Sequence, residues 1–94
     1  MRIKGLLWLD EIVDKLDYKH NVTQLEVREF FNGKPLFRFV EKGHRSGENV
    51  YLAMGQTEAG RYLIVIFILK YDQRAFILSA RDMTRAERKQ YGRK

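Results

Sequence analysis

A chain of 94 residues, 45 % hydrophobic and 13 % aromatic, has the size and apolar content of one folded domain (residues 1–94) around a single core, not of a disordered basic tail. It has no cysteine, which excludes a disulfide framework and a thiolate metal site and fits a reducing cytoplasm. Its net charge of +6 calls for an acidic partner, and no apolar run approaches the roughly 18 residues of a membrane span or forms the core of a secretory leader, so a soluble, cytoplasmic protein without a membrane partner is expected.

Leu9, Ile12, Val13 and Leu16 recur at i, i+3, i+4 and i+7, which predicts an amphipathic helix over residues 9–18 with Asp10, Glu11 and Asp14 near its positive end. Thr23 and Glu26 have capping-box spacing, and Val22 and Val27 that of a hydrophobic staple, so a second helix covers residues 23–32. Asn32-Gly33 ends it and Pro35 prevents its continuation. A strand over 36–41 and a polar, glycine-flanked loop over 43–47 lead to three further strands, 49–57, 61–69 and 74–80. The second of these is apolar on both faces, as an interior strand would be. The short links 58–60 and 71–73 make consecutive strands antiparallel hairpins.

Thr84 and Glu87 form another capping box and open a last helix. From residue 81 onward there are six Lys/Arg against two Asp/Glu, so most of the net charge collects where the final strand meets that helix. Such a cationic corner suits a polyanion backbone, the first indication of nucleic acid. The expected fold class is α+β: two N-terminal helices, a four-stranded antiparallel sheet and a C-terminal helix, with the helices on one face. Two histidines 24 residues apart make a poor metal site, and no phosphate-cradling glycine motif is present, so neither metal nor cofactor is expected.

With this order of elements, the chain resembles the BrnT-type toxins, the ribonuclease half of bacterial type II toxin–antitoxin pairs. Trp8-Leu9-Asp10 resembles the family's opening aromatic–acidic segment, and Lys19-His20-Asn21-Val22 its Lys-His-Gly-Val. His44-x-Ser46-Gly47-Glu48 is similar to its polar loop, and Met54-Gly55-Gln56-Thr57 with Gly60-Arg61 to its glycine-bounded hairpin. Ile77-Leu78-Ser79-Ala80-Arg81-x-x-Thr84-Arg85-x-Glu87-Arg88-x-x-Tyr91 is similar to its closing signature. Asn21 stands where the family has glycine, and Gln56 where it commonly has arginine. The resemblance implies a RelE-like fold, metal-independent RNA cleavage, and a tight complex with a cognate antitoxin through which alone operator DNA is bound.

Metal-free cleavage of RNA needs a base for the 2′-hydroxyl, cations for the charge that builds on phosphorus, and an acid for the leaving 5′-oxygen. RNA brings its own nucleophile. Arg81, at a strand end, is the first candidate for the cation, because a guanidinium can grip two phosphate oxygens. His44 is a candidate acid or base, with Glu48 orienting it or acting as base itself. Arg61 joins the catalytic candidates on its resemblance to a family position. Arg85 in the first helical turn, Arg88, Lys89, Tyr91, Lys19 and His20 are the candidate RNA-binding residues. Two other functions fit the same residues: a non-catalytic RNA- or DNA-binding module, and a protein-interaction module whose basic face docks on an acidic helix.

Overall fold

The computed structural model describes residues 1–93; Lys94, counted above in the basic terminus, lies outside the described residues. The elements run β1 (Gly5–Leu7), α1 (Asp10–His20), α2 (Gln24–Asn32), β2 (Leu36–Lys42), β3 (Asn49–Gln56), β4 (Tyr62–Leu69), β5 (Arg74–Asp82) and α3 (Arg85–Gly92). Local chemistry sets most of these boundaries. Thr23 and Thr84 each accept from the backbone N–H three residues on, and Glu26 and Glu87 return the bond, so both capping boxes form. Asn21 closes α1 in the left-handed region at φ 53°, a conformation open to Asn as well as to the family's glycine.

The sheet has five strands in the order β1-β5-β4-β3-β2. β2, β3, β4 and β5 pair antiparallel as expected, whereas β1 adds to the outer edge of β5 in parallel, Leu6 opposite Ala75. The expected four-stranded, wholly antiparallel RelE-like sheet is therefore corrected to a five-stranded mixed one. Three residues are too few to show a strand period; Gly5–Leu7 is a strand because β5 offers an open edge, which the Lys4 N–H also joins by donating to the Gln73 carbonyl at 2.9 Å.

A second correction concerns the helices. Leu16, Val22, Val27 and Phe30 pack on Ala53, Leu63, Val65, Phe67, Ala75, Ile77 and Ala80, all essentially sealed from water, and so place α1 and α2 on one face. Side chains alternate across a strand, and the intervening Met54 and Ile64 point to the other face. There they form a smaller cluster with Met83 and Tyr91 of the C-terminal segment. α3 therefore lies opposite α1 and α2, over one end of the sheet only. Gly55 permits the dense side: a Cβ there would come within 3.0 Å of the Phe30 ring and 3.1 Å of Pro35. Among the described residues no helix is long and apolar enough to cross a membrane.

Candidate functional site

Arg81 is the last residue but one of β5. β5 continues to Asp82, and Arg81 pairs across it with Ile64 on the α3 face. Its guanidinium grips Glu87 through two bonds, Nη1 to Oε1 at 2.7 Å and Nη2 to Oε2 at 2.9 Å. The same Glu87 carboxylate accepts the Thr84 N–H at 2.7 Å, so one side chain caps α3 and ties it to β5. The bond from Arg81 holds the Glu87 carboxyl down to about 2 and raises Arg81 in turn. The expectation of an Arg81 free for phosphate is thus corrected: its carboxylate-binding fork is occupied, although the side chain keeps 39 % of its surface exposed.

Arg61 is used more completely. Nε donates to Asp82 Oδ1 (2.7 Å), Nη2 to Asp82 Oδ2 (3.1 Å) and to the His20 carbonyl (2.9 Å), and Nη1 to the Asn21 carbonyl (2.6 Å) and Glu26 Oε2 (3.0 Å). A guanidinium has five N–H donors, and these five bonds leave none for a phosphate. Bonding to Asp82 most of all, against some burial, raises Arg61, and the same bond holds Asp82 below the usual carboxylate range. Burial would raise Glu26, but the Thr23 N–H and Arg61 outweigh it and hold it low. Arg61, expected among the catalytic cations, is instead a clamp joining the end of α1, the start of α2 and the end of β5. Sequence reasoning missed its acidic partners because Glu26 and Asp82 lie 35 and 21 residues away along the chain.

His44 and Glu48 lie elsewhere. Arg81 is level with Ile64 and Met54, whereas the loop holding His44 ends at Asn49, level with Leu69. Five residues along a strand is roughly 17 Å, so His44 and Arg81 cannot contact one phosphate. Glu48 bonds to Lys70 at 2.8 Å at that far end. The shared site proposed for His44, Glu48 and Arg81 is corrected on this register.

What the fold does bring together is the α3 end of the sheet. Tyr62, Arg85, Arg88 and Lys89 line a shallow open depression. The Arg88 guanidinium lies 4.3 Å over the Tyr62 ring, which meets Tyr91 edge-on at 6.1 Å. Tyr91 is buried and closes α3 onto the sheet. Arg85, Arg88 and Lys89 are exposed. Tyr62 was not singled out from sequence; its alternation with Ile64 on an apolar strand was the available signal. Just around the edge, Lys19 is exposed and His20 half-buried at the end of α1, and the His20 charge helps to lower Asp82. His20 is thus the histidine at this end of the molecule. Among the described residues no group of three His, Asp or Glu side chains could hold a metal ion.

No curated protein matches the chain. A family model described as the ribonuclease toxin, BrnT, of type II toxin–antitoxin systems matches residues 13–87, from within α1 to the Glu87 that caps α3. Most of the sheet, the Arg61 clamp and the Arg81–Glu87 pair fall inside that match, and β1 falls outside it. The chain therefore belongs to the BrnT family of type II toxin–antitoxin ribonuclease toxins.

Proposed function

We propose that the protein is an endoribonuclease that cuts RNA without a metal, arrests growth, and is neutralised by a cognate antitoxin that alone carries the complex to operator DNA. The observation carrying this reading is the exposed cationic face of α3 beside Tyr62, in a chain of this family. Arg85, Arg88 and Lys89 take the RNA backbone, and Tyr62 offers part of its ring to a base. His20 is the proton-transfer group. As base it accepts the 2′-hydroxyl proton while that oxygen attacks the neighbouring phosphorus; the P–O5′ bond breaks, the 5′-oxygen takes a proton from water as it leaves, and a 2′,3′-cyclic phosphate remains. Lys19 adds charge at the same edge.

The test is cleavage of a defined RNA by the intact chain in the presence of a chelator. His20→Gln should lower the cleavage rate at least ~100-fold while changing RNA affinity little. Arg88→Ala should weaken affinity, and His44→Gln should leave both near wild type. Full cleavage by the His20 variant, or dependence on a divalent cation, would remove this mechanism. A second reading, a binding module without cleavage, draws on the occupied forks of Arg61 and Arg81; it predicts RNA binding with no product from any variant.

A further inference from the structure

One row of side chains on the α3 face belongs to neither core. Leu7, Phe76, Ile68 and Val50 stand side by side across β1, β5, β4 and β3 in register. All four are half-buried, and none packs into either cluster of buried residues. On the opposite face the corresponding row is covered by α1 and α2. The reason for the difference is dimensional. β4 spans eight residues, about 26 Å, and a crossing helix covers about 10–12 Å. α3 crosses over Ile64 and Met54, four residues or about 13 Å from this row.

We propose that this row is the seat of an acidic amphipathic helix of the antitoxin, lying beside α3 and completing the second layer of the molecule. It rests on the toxin–antitoxin reading above. Three observations choose the occupant. The strip is aliphatic apart from Phe76, so it suits apolar side chains and offers little for bases to stack on. The chain carries +6, so a second copy would bring like charge to the same face. Between the strip and α3 stands Arg38, level with Leu52 and without a carboxylate partner among the described residues. With the Gln90 amide of α3 turned so that its oxygen faces Arg38, as its donors and acceptors require, the guanidinium donates to that oxygen at 2.7 and 3.1 Å. Acidic residues on the flank of such a helix would meet Arg38.

The probe is the cognate antitoxin titrated against the intact chain. Ile68→Lys and Phe76→Lys should each weaken its binding at least tenfold while RNA cleavage stays within twofold of wild type. Arg38→Glu should also weaken it, because the proposed helix is acidic. A folded Ile68→Lys variant that binds as wild type does, or an Arg38→Glu variant that binds more tightly, overturns the proposal. Should the lysine variants fail to fold, a photo-crosslinking phenylalanine analogue at Phe76 keeps the ring. Capture of the antitoxin supports the assignment; capture of RNA, of a second copy or of nothing overturns it. A wild-type chain that cuts no RNA would sink the ribonuclease reading alone, since antitoxin binding and capture are read independently.

Discussion

Glu87 occupies Arg81 much as a phosphate would, with two oxygens set against two guanidinium nitrogens. Two consequences follow for the Glu87→Gln variant. Glutamine still serves a capping box, so α3 should persist, while Arg81 is released to the solvent and RNA affinity should rise severalfold in a binding titration. The second consequence is acid sensitivity. Glu87 sits at about 2, below its ordinary 4.5, so its stabilising effect is complete above pH 4.5 and disappears as pH falls from there towards 2. Its size is on the order of 1 kcal/mol, because solvent screens the exposed Arg81. Denaturant melts of the variant between those pH values should show a flatter dependence; an unchanged slope would mean the pair contributes nothing. That Glu87 would cap α3 was legible in its spacing from Thr84; that it would also occupy Arg81 was not read. That Arg61 would be fully used was not, since its carbonyl and carboxylate partners come from three separate elements.

At the scale of elements, the two tight hairpins of the sheet, β3–β4 and β4–β5, have the same turn. Thr57 accepts the Gly60 N–H and bonds Arg61, and Lys70 accepts the Gln73 N–H and bonds Arg74, all at 2.9–3.0 Å. The fourth residue of each is left-handed, Gly60 at φ 89° and Gln73 at φ 70°. Glycine adopts this conformation freely and glutamine does not. Gln73→Gly should therefore stabilise the protein by roughly 0.5–1 kcal/mol and Gly60→Gln should cost a similar amount, both read from urea unfolding. A loss on Gln73→Gly would mean that the glutamine side chain carries a contact of its own. Capping boxes and hairpins were readable from sequence because each is decided within a few residues. β1 was not, because its strand character resides in β5. Nor was the side on which α3 packs: Tyr91 is the one buried residue of that helix, and a single apolar position defines no face.

For the whole molecule, register decides which charges act together. His44 and Arg81 were named together because the chemistry needs both a proton-transfer group and a cation, yet the strands carry them to opposite ends of the sheet. Lys19, His20, Arg85, Arg88 and Lys89 were each named from sequence, but their gathering at one end depends on α1 ending where β5 ends. If Arg85, Arg88 and Lys89 each neutralise one phosphate, RNA affinity should fall with salt at a log–log slope of about −2. Arg88→Ala should make that slope shallower by about 0.7. A slope near zero in the wild-type chain would point to a surface that does not hold RNA through its backbone.

The parallel seat of β1 on β5 bears on the order in which the chain is made. A nascent polypeptide ending before Arg74 has neither the partner that β1 needs nor any residue of α3. Its first strand waits unpaired while Asp82, the anchor for the Arg61 guanidinium, is still to be synthesised. Closure of the sheet and arrival of the cationic helix are thus deferred until β5 and α3 have been made. A ribosome that has not yet passed β5 would hold a fragment without the cationic face.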